Sequence, residues 1–370
     1  MQREIKIGFT GDFCLAESHL KPAGFAENAC SFSKSLNDNV DLAIANHEFC
    51  IVPSGDGEVR GMGLPVENAD VIESAGFDVF CLANNHIGDY GEKTLLHTKQ
   101  VLEQQGHKTV GIGRNVNEAV KPLFFKKNDF NIAIINFCDA TQYAAGEEVS
   151  GLAHIEFDLI KKSIEDAKNG ADLVILILHS DLEFTNYPSP WRVALSRKLA
   201  ELGPDLIIQH HPHTLQGLEY HDGCLIAYSL GNFVFQAHGT AYGDGRRGDL
   251  DQSVYLTINV KDSDEEGRKI DYELTPIVID EENRTNLASE QKSEEIFAKM
   301  KKYSEALKDP SFLRRHYHSE CRNQMDTLFW DTYYRVAKKG IKEGIKYIHI
   351  HLKTKAHTNW MRGFFTFGMY

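Results

Sequence analysis

The sequence predicts a layered α/β fold with a largely parallel sheet, and two observations support this prediction. Short apolar runs rich in β-branched residues recur along the chain and end abruptly in polar residues. Segments with apolar residues at helical spacing lie between several of these runs. Alternation of strands with helices is typical of parallel sheets, whose buried strands are apolar on both faces.

Seven apolar runs are predicted to be strands, of which six end in residues that can bind metals and the last ends in Gly-Asn. The runs are residues 5–12, 40–48, 78–86, 132–139, 173–180, 206–213 and 224–233. Ligands of such folds collect beyond the carboxyl ends of the strands. We therefore expect the polar ends of the runs to lie along one edge of the fold.

Helices are predicted between several of these strands, each ending at a glycine. They cover residues 91–106, 159–170 and 191–203. After about residue 250 the pattern changes, because residues 253–260 and 270–280 flank a charged turn and predict an antiparallel hairpin. Residues 281–292 are predicted to be a linker, and the remainder of the chain to be mostly helical.

The composition is that of a globular protein, with 42% hydrophobic residues and a net charge of −13. The negative charge argues against nucleic-acid binding, which needs clustered Lys and Arg. The seven cysteines are scattered without a CxxC pair, which argues against a disulfide framework or a zinc ribbon. The first residues lack the apolar stretch of a signal peptide, and no run reaches the length of a transmembrane segment. We therefore expect a cytoplasmic protein.

The C-terminal segment differs from the rest in charge. Residues 330–370 contain eight Lys or Arg against two Asp or Glu, and Ile341, Ile345, Ile348 and Leu352 form an apolar stripe between lysines. A basic amphipathic helix of this kind suits a partner surface or peripheral contact with anionic lipid. A helical pair packed on the main domain or on a dimer mate is the more common explanation.

The polar ends of the runs contain several residues that can bind metals. They are Asp12, Glu48, Asn85, His86, His179, His211 and His213. A hydrolytic dinuclear centre needs a bridging carboxylate, several imidazoles and oxygen ligands, all of which are present here. In an extended segment His211 and His213 would face the same side, whereas His210 should face elsewhere.

Most of these residues also have an ordinary explanation. Asp12 could cap the segment after the first strand, and Glu48 could be an exposed carboxylate. Asn84 and Asn85 could form turns, and we expect Asn84 to be structural and Asn85 to bind metal. His47 is expected to alternate away from the face of Glu48.

Several motifs resemble those of a known family in the same order along the chain. They are Gly-Asp at 11–12, NHE at 46–48, NNHIGDYG at 84–91, HSDLEF at 179–184, HHPHTLQG at 210–217 and YSLGNFVF at 228–235. The chain thereby resembles the CapA, or poly-γ-glutamate capsule biosynthesis, family of the calcineurin-like metallophosphoesterase superfamily. The resemblance covers roughly residues 5 to 240. It implies a four-layer αββα sandwich with two mixed β-sheets in residues 1–284, followed by a helical, basic C-terminal extension in residues 285–370.

The resemblance also implies roles for the residues at the matching positions. One or two divalent ions (Mn, Fe or Zn) would bind, the first to Asp12 and His213 and the second to Asn85, His179 and His211. Glu48 would occupy the bridging position, and His86 would donate a proton to the leaving group. Further candidates for contact with the ligands or with an anionic substrate are Asn46, Asn84, Asp181, Glu183, Arg246 and Arg247.

The chain departs from the pattern of the family at four places, the first being His47, where the family usually has leucine. The wider superfamily has Asp-x-His at the first strand, where this chain has Cys14 in place of the histidine. Ser180 and Asp181 replace the Trp-Gly that commonly follows the histidine at the position of His179, and Gln209 replaces a glycine. These differences make the number of ions an open question.

The resulting hypothesis is a metal-dependent hydrolase of the metallophosphoesterase type that acts in the synthesis or modification of a bacterial capsule or surface polymer. Its substrate would be an anionic small molecule or polymer, and other capsule-synthesis proteins are candidate partners. One alternative is a non-catalytic accessory protein that binds polymer or partner enzymes during capsule assembly. Another is hydrolysis of an amide or glycosidic bond at the same metal site.

Overall fold

The computed structural model describes residues 2–16, 24–55, 59–238, 249–263, 267–353 and 361, and contains two large mixed β-sheets flanked by helices. The strands are β1 (Gln2–Phe13), β2 (Leu42–His47), β3 (Cys50–Val52), β4 (Gly63–Pro65), β5 (Val79–Cys81), β6 (Lys108–Val110), β7 (Ile112–Gly113), β8 (Leu123–Lys127), β9 (Phe130–Cys138), β10 (Gly151–Leu152), β11 (Leu173–His179), β12 (Leu206–His210), β13 (Leu218–His221), β14 (Cys224–Ala227), β15 (Asn232–Val234), β16 (Gln252–Ser263), β17 (Gly267–Ile279) and β18 (Thr285–Leu287). The helices are α1 (Phe25–Asn37), α2 (Glu92–Gln104), α3 (Val116–Ala119), α4 (Phe157–Lys168), α5 (Pro190–Ala200), α6 (Glu290–Ala306), α7 (Pro310–Lys339) and α8 (Ile341–Lys353).

The first sheet follows the order β18-β17-β16-β1-β2-β5-β6, and β15 also pairs with β1. Strands β1, β2, β5 and β6 are parallel, whereas β16 runs antiparallel to β1. The second sheet follows the order β13-β14-β12-β11-β9-β8, with β9, β11, β12 and β14 parallel. Each sheet therefore has a group of parallel strands whose carboxyl ends lie side by side.

The core between the two sheets explains why most strands are apolar on both faces. It contains Ile7 and Ile44 from the first sheet and Ile134 and Ile175 from the second, all at most 2% exposed. Burying each such side chain contributes about 1.5–3 kcal/mol. The outer face of the first sheet packs against α1 and α2, and that of the second against α4 and α5. The four-layer αββα arrangement is therefore confirmed.

The predicted helices agree closely with α2, α4 and α5. Ser189 begins α5, because its side chain accepts a hydrogen bond from the backbone N of Arg192 and proline occupies the first helical position. Gly106 and Gly203 follow α2 and α5 with φ values of 93° and 83°, a conformation that favours glycine at helix ends.

The predicted hairpin also agrees with the structure, since β16 and β17 pair along their length. The expected linker at 281–292 is wrong in part, because it contains β18 and the start of α6. Thr285 is buried there and donates a hydrogen bond to Phe233 O at 2.7 Å. Ile296 of α6 is buried in the core between the sheets. The division of the chain at residue 284 remains a prediction.

The C-terminal helices α7 and α8 contact each other, and Tyr347 of α8 donates a hydrogen bond to Asp331 of α7 at 2.9 Å. The side chains of Ile341, Ile345 and Ile348 are 67%, 61% and 37% exposed, so most of the predicted apolar stripe faces solvent. Among the helices of the described residues, none has both the length and the hydropathy that crossing a bilayer requires.

Candidate metal centre

The carboxyl ends of the parallel strands meet at one edge of the sandwich, as the run ends predict. In the first sheet Asp12 of β1 pairs with Asn46 of β2, and in the second sheet His179 ends β11. Asn136 of β9 links the sheets near this edge, since its Oδ1 accepts a hydrogen bond from the backbone N of Ala83 at 2.7 Å. This contact holds the segment after β5 against the second sheet.

Glu48 follows β2 and is fully buried among the predicted ligands. Its Oε1 lies 3.6 Å from Nε2 of His179 and 3.6 Å from Nε2 of His213, and it has no hydrogen-bond partner among the described residues. Two donors that bind one ion at about 2.1 Å lie about 3.4 Å apart in tetrahedral geometry. Both separations therefore suit an ion shared by the carboxylate and an imidazole, as a bridging position requires.

Asp12 lies beside two histidines of the HHPH segment. Its Oδ2 is 3.2 Å from Nδ1 of His213, and its Oδ1 is 3.4 Å from Nδ1 of His210. The expectation that His210 faces elsewhere is therefore wrong. Alternation applies only to extended backbone, but His211 and His213 have φ values of 102° and 57°. The segment bends at these residues, and all three histidines face the cluster.

Asn232 is a site residue that the sequence interpretation missed. Its Oδ1 lies 2.9 Å from Nδ1 of His213, and it pairs with Asp12 where β15 joins β1. The two strands come this close because Gly11 has no side chain, and a Cβ there would overlap the carbonyl oxygen of Gly231. The Gly-Asn pair at the end of the seventh apolar run was the feature of the sequence that could have indicated Asn232.

The residues expected at the second ion converge on His179. Its Nε2 lies 2.7 Å from Oδ1 of Asn85 and 3.1 Å from Nδ1 of His211. Asn46 Nδ2 lies 3.3 Å from His179 Nδ1 and donates to Asp12 Oδ1 at 2.9 Å. Asn46 therefore links groups from both sheets and fixes their orientation.

Asn84 shapes the turn that carries the candidate proton donor. It donates to His47 O at 2.7 Å and accepts from the backbone N of His86 at 3.1 Å. His47 itself packs on Phe49 with ring centroids 3.8 Å apart, away from the cluster. Burial lowers the pKa of His47 to about 3.

His86 is partly exposed, and its ring is held by two residues that the sequence interpretation did not single out. Its Nδ1 lies 2.8 Å from Oδ2 of Asp89, and Tyr143 donates to the other oxygen of Asp89 at 3.0 Å. A carboxylate at Nδ1 fixes the ring orientation and the tautomer in which that nitrogen is protonated. The position of Asp89 three residues after His86, inside the NNHIGDYG motif, was the available signal.

Burial and neighbouring charges shift the pKa values of the cluster residues in different directions. Burial would raise the pKa of Asp12, but hydrogen bonds to His210 and His213 hold it well below its usual range. Burial would lower the pKa of His213, but Glu48 and Asp12 raise it to about 10. Burial and Asp12 raise the pKa of Glu48 well above its usual value. Burial lowers the pKa of His211 to about 4. The cluster therefore concentrates buried acids and imidazoles that share protons, and a bound cation would displace protons from Glu48 and His213.

The remaining residues predicted to contact the ligands or the substrate differ in position. Asp181 accepts a hydrogen bond from the backbone N of Ser189 at 2.8 Å, which places its carboxyl at the start of α5. Burial raises the pKa of Asp181. Glu183 lies near His211 and His213, whereas Arg246 and Arg247 lie outside the described residues.

Two of the departures from the family pattern have a visible structural consequence. Gln209 accepts a hydrogen bond from the buried guanidinium of Arg192 and donates to Ser196 at 3.0 Å, so it joins β12 to α5 behind the cluster. Cys14 is fully buried, and burial raises the pKa of its thiol.

Among the residues that the structure describes, three sets of donors are close enough to bind ions, with the donor atoms of each set within 4.8 Å of one another. They are Glu48, His179 and His211; Asp12, Glu48 and His213; and Glu183, His211 and His213. Carboxylate and imidazole donors suit Mn, Fe or Zn. The residues therefore fit a metal centre, whereas the number and identity of the ions remain predictions.

The fold and these donors define an αββα sandwich protein with a candidate metal centre at the carboxyl edge of its strands. A family model described as "Bacterial capsule synthesis protein PGA_cap" matches residues 6–237. The chain belongs to this family, and the predicted membership is confirmed.

Curated relatives agree with this assignment. The chain is 36% identical over 177 residues to "Capsule biosynthesis protein CapA" of Bacillus anthracis, covering 46% of this chain and 43% of that protein. It is 32% identical over 218 residues to "PGA biosynthesis protein CapA" of Bacillus subtilis, covering 58% and 54%. The chain thus spans about half the length of the curated relatives it matches. A solved structure described as a novel phosphatase from Mycoplasma pneumoniae aligns with 75% of this chain and 95% of that chain, with a TM-score of 0.47 and 16% identity.

Proposed function

We propose that this protein is a metal-dependent hydrolase that cleaves a phosphoester or a related anionic bond during synthesis or modification of a bacterial capsule or surface polymer. The observation that carries the proposal is the position of Glu48. Its buried Oε1 is equally distant, at 3.6 Å, from one nitrogen of His179 and one of His213. A carboxylate between two imidazoles suits a bridge between two ions.

Each part of the cluster has a chemical task in this proposal. Divalent ions held there would supply Lewis acidity for an anionic substrate and activate water for attack. Asp12 and Glu48 would balance the charge of the ions, and His179, His211 and His213 would complete the donor sets. These buried side chains are fixed by hydrogen bonds, so binding requires little reorganisation.

His86 would protonate the leaving group at the solvent edge of the cluster. Its side chain is 26% exposed, which gives a substrate access to the ring. Asp89 would hold the protonated Nδ1 and thereby orient Nε2 as the donating atom.

The names of the Bacillus relatives concern capsule and PGA biosynthesis in those organisms. We extend this role to the present chain, with an anionic polymer or its precursor as substrate and other capsule-synthesis proteins as partners. Arg246 and Arg247 stay candidates for holding the anionic substrate.

Metal analysis and hydrolysis assays test the proposal directly. We expect the purified protein to bind Mn, Fe or Zn and to hydrolyse members of a panel of phosphomonoesters and phosphodiesters, with activity lost in EDTA. His86→Ala should retain the metal and lose hydrolysis. A protein without bound transition metal and without metal-stimulated hydrolysis would contradict the proposal. Unchanged polymer production in cells carrying His86→Ala would instead favour an accessory role in assembly.

A further inference from the structure

The loop after β11 brings a further carboxylate to the candidate metal centre. A carboxylate oxygen of Glu183 and ring nitrogens of His211 and His213 all lie within 4.8 Å of one another. Glu183 is partly exposed, whereas Asp12 and Glu48 are fully buried. Glu183 therefore approaches the histidines from the solvent side of the cluster.

Hydrogen bonds hold the loop of Glu183 against the segment that carries the histidines. The backbone N of Phe184 donates to Pro212 O at 2.8 Å, and Thr214 Oγ1 donates to Thr185 O at 2.7 Å. Ordering a free loop costs about 1–2 kcal/mol per residue. Because these contacts form on folding, the carboxylate is positioned before any ion binds.

The backbone on both sides of Glu183 is in the left-handed region, with φ values of 101° at Asp181 and 62° at Phe184. His211 and His213 share this feature. For residues other than glycine the conformation costs about 1–2 kcal/mol each. Such strain persists where the surrounding structure fixes it, and it is concentrated at ligand-binding sites.

The donor set that contains Glu183 has the composition of a hydrolytic ion site. Glu183, His211 and His213 provide one carboxylate and two imidazoles, and catalytic Zn sites combine three such protein ligands with a bound water. Nδ1 of His213 contacts Asp12 and Asn232, and Nε2 lies 3.6 Å from Glu48. An ion on Nε2 would therefore lie beside the carboxylate of Glu48.

We propose that Glu183 is a metal ligand of this centre and that it binds, together with the imidazoles of His211 and His213, the ion that lies between Glu48 and His213. The inference rests on the proposed metal-dependent function. It makes Glu183 a member of the donor set, instead of a residue beside the ligands.

Calorimetric titration of the EDTA-treated protein with Mn²⁺ tests the inference without measuring activity. Glu183→Gln keeps the shape of the side chain and removes its charge, whereas Glu183→Asp keeps the charge and shortens the reach. Loss of even an outer partner of a ligand weakens metal binding about 10- to 100-fold. We therefore expect Glu183→Gln to weaken binding of one ion by about 100-fold or more, and Glu183→Asp to have an intermediate effect. The matched control Glu165→Gln, on the outer helix α4, should bind as the unaltered protein does.

Thermal melting of the metal-free variants separates loss of a ligand from misfolding. If Glu183→Gln does not fold, a crystal of the unaltered protein soaked in Mn²⁺ decides. An anomalous peak within about 2.2 Å of the Glu183 carboxylate supports the inference, and a peak bound only by the other donors overturns it. Equal Mn²⁺ affinity in Glu183→Gln overturns it too, and leaves the metal-dependent hydrolase in place. If the unaltered protein binds none of Mn²⁺, Fe²⁺ and Zn²⁺, the proposed function fails and this inference fails with it.

Discussion

Glu48→Gln separates the metal-binding role of Glu48 from its role in the metal-free fold. Burial and the charge of Asp12 favour the neutral carboxylic acid at Glu48, so a neutral amide of the same shape should be tolerated. We expect the metal-free variant to lose less than about 1 kcal/mol, the size of one ordinary hydrogen bond. The same substitution removes the carboxylate that two of the three donor sets share.

The expected contrast is visible in thermal denaturation with and without Mn²⁺. An ion at 100 times its dissociation constant adds about 2.7 kcal/mol to the unaltered protein. For a chain of 370 residues, Tm changes by about 1.3 °C per kcal/mol, so this raises Tm by roughly 3–4 °C. We expect Glu48→Gln to lose most of this increase, and the control Glu165→Gln to keep it.

Two results would refute the reasoning about Glu48. An unchanged Mn²⁺-dependent rise in Tm would show that the carboxylate does not bind the ion. A metal-free variant destabilised by several kcal/mol would show that Glu48 is needed as a charged group in the fold itself.

Three further predictions follow from other parts of the structure. Asp89→Asn should reduce hydrolysis about 100-fold with unchanged metal content, because an amide can turn its NH₂ group to Nδ1 and no longer fixes the His86 tautomer that presents Nε2. Unchanged steady-state rates would contradict this. Burial lowers the pKa of His47 in the folded protein to about 3, from 6.5 in the unfolded chain. Its contribution to the free energy of unfolding is therefore complete above pH 6.5 and is lost as the pH falls towards 3. Between pH 7 and pH 5 the loss is about 2 kcal/mol, and His47→Phe should remove it in urea denaturation; equal slopes with pH in both proteins would exclude this origin. Finally, we propose that α8 makes peripheral contact with anionic lipid. Replacing Ile341 and Ile345 by Ser should reduce binding to phosphatidylserine vesicles in a flotation assay about 100-fold. Absence of flotation of the unaltered protein would exclude the contact.

The sequence predicts the layers and the edge of the site because both follow from local patterns. Runs such as 173–180 are apolar on both faces, and the carboxyl ends of parallel strands must lie together. This brings Asp12, Glu48 and His179 to one place without knowledge of any loop. The strand β18 was missed because an edge strand of three residues carries almost no periodic signal.

What the sequence could not predict depends on contacts between distant segments. Asn232 reaches His213 only because β15 can approach β1 at Gly11, which no local pattern reports. The orientation of the three histidines could not be predicted from the local sequence either. The prediction assumed an extended segment, which places the imidazoles of His211 and His213 on one side and turns His210 away. The positive φ values bring all three together, and they also place the backbone of Pro212 where it accepts the hydrogen bond from Phe184. The bend that corrects the prediction for His210 therefore also anchors the loop of Glu183, so both features should be lost together if this segment is straightened.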